Sequence, residues 1–272
     1  MEVTLTAADG YRLGATLFEG GERAVLVMPA TGVPQSYYAK FAAYLAGRGF
    51  TVLTFDYRGI GRSLHGHVRG VAARMRDWAL LDAAAAFDSL RGKEIYIVGH
   101  SFGGQAIGLL PGPERIARAL VVGAQSGYWR HWPALGRAWV WPVTHFALPA
   151  LSRLHGYFPG SRLGLGEDLP KGVAIEWASW CRHPRYLVGA LGADERYARL
   201  RAPLRAYAIG DDRFAPARAV AALLELYPNA KGEVRRVDPR GLGVRSIGHF
   251  GFFRESFRDS LWREAADWLE DE

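Results

Sequence analysis

The sequence is short of cysteine and lysine, and each shortage narrows what the protein can be. Cys181 is the single cysteine among 272 residues, so no intramolecular disulfide can form and nothing calls for an oxidising compartment. Only four lysines accompany the arginines that give a net charge of +7. The basic residues are spread along the chain and form no run with interleaved aromatic residues, so we expect no nucleic-acid partner.

Long apolar runs and nucleotide or metal motifs are also missing. No stretch approaches the 18 or so uncharged residues of a membrane span, and the first residues lack the basic-then-apolar pattern of a signal segment. We therefore expect a cytoplasmic protein with no stable membrane anchor. No G-x-G-x-x-G follows the first strands, and the pair His65 and His67 has no third ligand at a metal-site spacing. The sequence therefore predicts neither a metal nor an organic cofactor.

What is present is an alternation of apolar strand-length runs with segments of helical periodicity. This alternation predicts an α/β fold with a mostly parallel, doubly wound sheet covered on both faces, preceded by an antiparallel N-terminal hairpin. The predicted strands span residues 2–6, 11–18, 24–28, 51–55, 95–98, 116–123, 204–209 and 233–238. The predicted helices span residues 37–46, 74–90, 104–107, 216–226 and 255–269.

The alternation stops between residues 124 and 200. Prolines become frequent there, and six of the nine tryptophans fall in this stretch. We predict a helical, Trp-rich lid at 124–200, inserted into a core formed by 1–123 and 201–272. Its aromatic side chains can hold the lid together or line a pocket for an apolar acyl or alkyl group, and the two roles are compatible. The pocket candidates are Trp129, Trp132, Trp177 and Trp180.

One pentapeptide contains the candidate nucleophile. Gly99-His100-Ser101-Phe102-Gly103 follows the apolar run 95–98 and precedes a segment of small residues. The bare G-x-S-x-G pattern is weak evidence, but a buried strand before it and a helix after it are typical of a nucleophile elbow. In such an elbow the serine sits in a strained turn, and the N–H of the next residue, Phe102, faces a developing oxyanion. We expect His100 to pack beside the turn.

A serine hydroxyl needs a base to take its proton and a third group to orient that base. The loop after the strand 204–209 carries Asp211 and Asp212, and the last strand is followed by a loop that carries His249. The order serine, acid, histidine is the one expected for a nucleophile elbow on an α/β sheet. The spacing leaves both aspartates open as the acid. Of the other acids, we expect Asp56 to cap a loop, and Asp82 and Asp88 to lie on a solvated helix surface.

With these motifs in place, the chain resembles the α/β-hydrolase superfamily over essentially its whole length. The matching pieces are DYRGIGRS at 56–63, GHSFGG at 99–104, GDDRFAP at 210–216 and IGHFGFF at 247–253. The resemblance implies that the acid stands four residues before Pro216, which selects Asp212. It also implies that PATGVPQSYY at 29–38 is the oxyanion loop, where the N–H of Thr31 would join that of Phe102. This loop departs from the usual His-Gly pair, since Pro29-Ala30 stands there.

The expected activity is hydrolysis of a carboxylic ester or thioester through an acyl-enzyme on Ser101. The partner is then a small-molecule ester or thioester, and homo-oligomerisation is left open. The same scaffold can also run acyl transfer, lactone opening or C–C bond hydrolysis, because a fold does not fix a function. A non-catalytic, receptor-like ligand-binding protein is the alternative from another class. A membrane-associated lipase, activated by lipid interfaces, is a third possibility that rests on the aromatic lid and the positive charge. The chain also resembles a little-characterised bacterial subgroup of predicted hydrolases, which adds no substrate.

Overall fold

A sheet of eight strands runs through the computed structural model, which describes residues 1–271. Its strands are β1 (Glu2–Thr6), β2 (Arg12–Phe18), β3 (Arg23–Met28), β4 (Thr51–Phe55), β5 (Glu94–His100), β6 (Ile116–Val122), β9 (Pro203–Ile209) and β10 (Lys231–Val237). A separate two-stranded ladder joins β7 (Tyr157–Phe158) to β8 (Leu169–Pro170). The order in the large sheet is β1-β2-β4-β3-β5-β6-β9-β10.

The sheet is antiparallel only at its N-terminal side. β2 pairs antiparallel with both β1 and β4, and the remaining ladders are parallel. The central strand β4 is buried at all five positions, as expected for a strand covered on both faces. The edge strand β10 is mostly exposed and carries charged residues, which discourage pairing with another chain. The predicted α/β architecture with an N-terminal hairpin is therefore confirmed.

The helices cover both faces of the sheet. Their bounds are α1 (Ala39–Gly47), α2 (Met75–Asp77), α3 (Ala84–Ser89), α4 (Phe102–Gln105), α5 (Ala134–Pro142), α6 (Leu148–His155), α7 (Lys171–Trp180), α8 (Tyr186–Leu191), α9 (Asp194–Ala198), α10 (Ala217–Leu224), α11 (Gly248–Gly251) and α12 (Arg263–Glu270). π-Helical turns link α2 to α3 at Trp78–Ala83 and α5 to α6 at Val143–Ala147, and another leads into α12 at Arg258–Trp262. Two large apolar clusters fill the space between the helices and the sheet, one on each face.

The main differences from the predicted elements are local. The helix after Ser101 ends at Gln105 and gives way to a short 3₁₀ turn, Ile107–Leu109. Glycine has a low helix propensity, and Gly108 lies so close to the ring of Tyr197 that a Cβ atom there would come within 2.6 Å. The ladder of β7 and β8 was not predicted, because strands of two residues leave no periodic pattern in a sequence.

Asp82 was predicted wrongly as a solvated residue. Its side chain is fully buried and pairs with the Arg58 guanidinium at 2.7 Å. Burial raises the pKa of Asp82 to about 7, although the hydrogen bonds and positive charge of Arg58 oppose that rise. Arg58 also pairs with Asp9 in the turn of the N-terminal hairpin. The three residues tie the hairpin, the loop after β4 and the helix at 75–89 together.

Residues 124–200 lie between β6 and β9 and contain α5 to α9. Polar contacts attach this inserted segment to the rest of the chain. The Glu167 N–H donates to the Gly32 carbonyl at 2.8 Å, and the Glu176 carboxylate pairs with Arg76. Cys181, which follows α7, is buried, and this burial raises the pKa of its thiol to about 12.

Candidate active site

Ser101 occupies a strained turn between β5 and α4. Its φ is +50° and its ψ is −115°, a backbone conformation that residues with a side chain rarely adopt. The Ser101 N–H donates to the carbonyl of Val122 in the neighbouring strand at 2.9 Å, and the Ser101 carbonyl accepts from Gly104 and Gln105. These hydrogen bonds hold the strained turn in place, as the pentapeptide predicts for an elbow.

Glycines around the serine allow chain segments to approach closely. A Cβ atom at Gly99 would lie 2.5 Å from the Cα of Gly104, and one at Gly103 would lie 2.0 Å from the Met28 carbonyl oxygen. Both separations are well below van der Waals contact with backbone atoms, which cannot move aside. The elbow therefore requires glycine at both positions, because α4 packs directly against the ends of β3 and β5.

Asp212 and His249 form a buried pair. His249 Nδ1 lies 2.7 Å from Asp212 Oδ2. The other carboxylate oxygen, Oδ1, accepts from the N–H groups of Phe214 at 2.8 Å and Ala215 at 3.0 Å. A carboxylate can only accept, so Nδ1 carries the proton and Nε2 of the neutral imidazole is left as an acceptor. This is the tautomer that a general base needs.

The pair lies beside the elbow. Gly123 comes directly after Val122, whose carbonyl binds the Ser101 N–H. A Cβ atom at Gly123 would lie 3.0 Å from His249 Nδ1 and 3.1 Å from Asp212 Oδ2. The strand ends therefore bring Ser101, Asp212 and His249, which are far apart in sequence, to the same edge of the sheet.

Asp211, the other candidate acid, has a different set of partners. Its carboxylate accepts from the Ser246 hydroxyl at 2.7 Å and from the N–H groups of Ile247 and Gly248 at 3.0 and 2.9 Å. Burial raises the pKa of the Asp211 carboxyl, but these hydrogen bonds outweigh burial and leave that pKa below its usual value. Asp211 thus fastens the turn that carries His249, while the neighbouring Asp212 contacts the imidazole.

Phe102 and Thr31 present two backbone N–H groups. Phe102 is the first residue of α4, where helical N–H groups have no acceptor in the preceding turn. Within residues 1–271, neither N–H donates to a protein acceptor. Thr31 follows Ala30, whose own N–H donates to the Tyr38 hydroxyl at 2.9 Å. The loop that carries Thr31 is thereby held from one side.

A hydrogen-bonded chain through His100 connects this loop to the histidine loop. The Tyr38 hydroxyl lies 2.8 Å from His100 Nδ1, and His100 Nε2 lies 2.9 Å from the carbonyl oxygen of His249. A carbonyl only accepts, so Nε2 carries the proton and Nδ1 accepts from Tyr38. Burial, with a contribution from His249, holds the pKa of His100 well below its usual value. Sequence reasoning missed this hydrogen-bonded chain, because two directly bonded members, His100 and His249, are 149 residues apart.

The four predicted pocket tryptophans have different surroundings. Trp180 is buried in the core cluster, and the Trp177 indole donates to the Tyr186 hydroxyl, which in turn donates to the Gln105 side chain. Trp132 donates to the Arg213 carbonyl at 3.0 Å and lines a groove of about 960 Å³ that also contacts Asp212. Trp129 is half-buried and packs in the same small cluster as Trp132.

Two phenylalanines flank the imidazole. The rings of Phe214 and Phe250 lie 5.4 and 5.0 Å from the His249 ring, measured between centroids. Each is more than a third exposed. The surroundings of His249 on these sides are therefore apolar. Neither residue was singled out from the sequence, although each lies within two residues of a predicted triad member.

Asp56 lies away from the pair. Its carboxylate accepts from the backbone and side chain of Gln35 and from the Arg62 N–H. Burial raises the pKa of this carboxyl despite those donors. Asp56 thus joins two loops, as predicted for a loop-capping aspartate.

Residues 24–256 match the model of the alpha/beta hydrolase family. Among solved structures, an esterase from Exiguobacterium antarcticum superposes with a TM-score of 0.66 at 15% identity, and the match covers all of both chains. A monoacylglycerol lipase from Paleococcus ferrophilus gives 0.62 at 17% identity, over 94% of this chain and 98% of the other. An enzyme that degrades N-acyl homoserine lactones gives 0.65 at 18%, over 97% and 98%. At these identities the likeness concerns the fold.

Proposed function

The chain belongs to the alpha/beta hydrolase family, and we propose that it is a serine hydrolase that cleaves a carboxylic ester or thioester with an apolar acyl or alkyl group. The observation that carries this proposal is the 2.7 Å contact between His249 Nδ1 and Asp212 Oδ2, formed beside the strained turn of Ser101. Esterases and a lipase are among the chains that share the fold. We propose the cytoplasm as its compartment, since the lone cysteine needs no oxidising environment.

In the first half of the proposed reaction, His249 Nε2 takes the proton of the Ser101 hydroxyl as Oγ attacks the substrate carbonyl carbon. Asp212 holds the imidazole and stabilises the cation that forms. The N–H groups of Phe102 and Thr31 donate to the oxyanion, and such a donor contributes about 3 kcal/mol to transition-state stabilisation. The imidazolium then gives its proton to the departing alcohol or thiol, which leaves an acyl-enzyme.

The second half regenerates the serine. His249 removes a proton from water, the resulting hydroxide attacks the acyl carbon, and the same two N–H groups hold the second oxyanion. The proton returns from His249 to Ser101 Oγ as the carboxylic acid departs. No metal or organic cofactor takes part in these steps.

The preference for an apolar group rests on the side chains near His249. Phe214 and Phe250 flank the imidazole, and the groove beside Asp212 is lined by Trp132, Leu135 and Trp139. Burial of one methylene group of a substrate on such a surface stabilises the complex by about 0.8 kcal/mol. Activity towards p-nitrophenyl esters should therefore rise as the acyl chain grows from two to six carbons.

The decisive experiment is labelling with a fluorophosphonate, read by intact mass. The wild-type protein should gain one adduct, and the matched Ser101→Ala variant should gain none while keeping its circular dichroism spectrum. Asp212→Asn should slow labelling strongly, whereas Asp211→Asn should slow it less because Asp211 touches only the loop. If the folded wild-type protein gains no adduct, the serine is not activated, and the ligand-binding alternative takes the place of this proposal.

A further inference from the structure

The outward side of α5 and α6 is unusually apolar for a surface helix. Leu135, Trp139, Phe146 and Leu154 are exposed by 88, 40, 59 and 77%. They recur at intervals of four, seven and eight residues, which places them on one side of the helical arm at residues 134–155. We call these four residues the outer face.

The opposite side of the same arm is already packed against the protein. Val140, Thr144, Leu148 and Ser152 recur every four residues and are buried. A surface helix normally turns charged residues towards solvent and apolar residues towards the core. The C-terminal helix α12 follows this rule, since its buried side is Ala265, Ala266, Trp268 and Leu269 while its remaining residues are mostly charged. The arm at 134–155 departs from this rule, because the side away from its buried row carries large exposed apolar residues.

The exposed apolar residues of the protein are concentrated around this arm. Of the ten large apolar side chains exposed in residues 1–271, seven lie in the inserted segment between 135 and 165, and two more are Phe214 and Phe250 beside His249. The ring of Trp139 lies 5.9 Å from that of Phe214, measured between centroids. The outer face therefore borders the residues that flank the imidazole.

The segment that carries the outer face has charged side chains of one sign only, although Asp211 and Asp212 of another loop line the groove beside Leu135 and Trp139. Residues 124–166 contain four arginines, Arg130, Arg137, Arg153 and Arg162, and no aspartate or glutamate. In the part of the chain that the structure describes, none of the four forms an ion pair with an acid from elsewhere. Their charge is therefore available to an anionic partner.

From these observations we propose that the outer face and its arginines form a docking surface for an anionic lipid bilayer. Tryptophan, phenylalanine and leucine enter the boundary between headgroups and acyl chains, while arginines beside them contact anionic headgroups. A second copy of the chain fits less well, because symmetric pairing of this face would bring the positively charged segment 124–166 of one copy against that of the other. Among residues 1–271, no helix has the length and hydropathy that a membrane span requires. The contact is thus peripheral and reversible.

The proposal is tested by co-sedimentation with large unilamellar vesicles, using Ser101→Ala protein so that no lipid is consumed. One set of vesicles contains phosphatidylcholine and phosphatidylglycerol at 7:3, and the other contains phosphatidylcholine alone. The protein should bind the anionic vesicles at least tenfold more tightly than the neutral ones, and 0.5 M salt should weaken that binding. Leu135→Ser combined with Phe146→Ser and Leu154→Ser should lower binding to the anionic vesicles at least tenfold.

A charge-matched pair of variants locates the surface. Arg153→Gln with Arg162→Gln should lower binding to anionic vesicles by about fivefold per arginine. Arg201→Gln with Lys231→Gln removes the same charge from exposed residues at the opposite edge of the sheet, beside the amino ends of β9 and β10, and should leave binding within twofold. Equal losses in the two double variants, or no binding by folded protein, would overturn the proposal.

Self-association through the outer face must also be distinguished from binding to lipid. Sedimentation velocity without lipid should give a single species that the outer-face substitutions do not change. If the wild-type protein forms a dimer that Leu135→Ser, Phe146→Ser and Leu154→Ser dissociate, the face is a subunit interface and the lipid proposal is overturned. Vesicle binding is read without turnover, so a failure of the proposed serine chemistry and a failure of lipid docking remain distinguishable.

Discussion

The edge of the sheet that carries Ser101 and the inserted segment are held in place by different kinds of contact. At the edge, backbone approaches as short as those around Gly99 and Gly103 leave no room for a side chain, and Asp211, Asp212 and His100 are fixed by several hydrogen bonds each. The arm at 134–155 is held by one buried row of side chains and leaves its other side uncovered. From this difference we expect substitutions to lower stability or activity strongly at the edge and only slightly on the outer face.

The largest contrast should appear in turnover. Ser101→Ala should lower kcat for a p-nitrophenyl ester by about 10⁴-fold or more, because the nucleophile is lost while the fold is kept. Phe146→Ser, on the outer face but outside the groove beside Asp212, should leave kcat for the same soluble ester within twofold. Comparable turnover by purified Ser101→Ala would contradict the proposed mechanism.

The next contrast concerns ion pairs. Asp82→Ala should lower the free energy of unfolding by about 3–5 kcal/mol, since it leaves the buried Arg58 guanidinium without one of its two partners. Asp194→Ala removes the exposed partner of Arg185 in the inserted segment and should cost less than about 1 kcal/mol. Urea denaturation of both variants measures the difference, and similar losses would show that the Asp82 site does not act as a buried pair.

A third contrast compares a side chain enlarged at the tightly packed edge with a side chain shortened on the exposed outer face. Gly103→Ala should destabilise the protein by about 2–3 kcal/mol, because the new Cβ atom would meet the Met28 carbonyl at 2.0 Å. Leu154→Ser on the outer face changes a side chain that is 77% exposed and should stay within about 0.5 kcal/mol. Thermal unfolding of the two variants tests this, and a Tm for Gly103→Ala equal to that of wild type would show that α4 can move away from β3.

The smallest expected effect is the pH dependence of stability that His100 contributes at the edge of the sheet. His100 is neutral in the folded protein because burial lowers its pKa, whereas in the unfolded chain it takes up a proton near pH 6.5. Its contribution to stability is therefore complete above about pH 6.5 and is lost as pH falls below that value, by up to about 1.4 kcal/mol per pH unit. The groups that face it are the Tyr38 hydroxyl, the His249 carbonyl and the rings of His249, Phe250 and Phe253.

Urea denaturation of wild type and His100→Gln at pH 7.5 and 5.5 measures the contribution of His100 to the pH dependence of stability. The wild-type protein should lose more stability between the two pH values than the variant does. Part of the wild-type loss should remain in the variant, because burial also lowers the pKa of His131. Equal losses in the two proteins would show that His100 takes up its proton in the folded state.

The sequence predicted best those elements that depend on neighbouring residues or on a periodic pattern of apolar residues. Strand β4 begins and ends where its run of apolar and β-branched residues does, because a strand covered on both faces is buried along its whole length. The elbow at Ser101 and the loops with Asp212 and His249 could be found because each follows a predicted strand. The choice between Asp211 and Asp212 could not be made from spacing, since neighbouring side chains point in different directions and only the folded loop decides which reaches the imidazole.

Contacts between residues that are distant in sequence could not be predicted from the sequence. The burial of Asp82 depends on Arg58 and Asp9, which come from two other elements, and helical periodicity alone placed it on the surface. The chain from Ala30 through Tyr38 and His100 to His249 joins four segments. The outer face was also hidden, because an apolar residue in a helix gives the same signal whether it is buried or exposed.

The buried thiol of Cys181 makes the protein a convenient subject for spectroscopy. Thiol reagents attack the thiolate, and a group that is 3% exposed with a pKa of about 12 supplies almost none at pH 8. A cysteine introduced at Phe146 would then be the one reactive thiol on a native background, with no need to replace the original residue. A fluorophore or spin label attached there would report directly on what the inserted segment meets in solution.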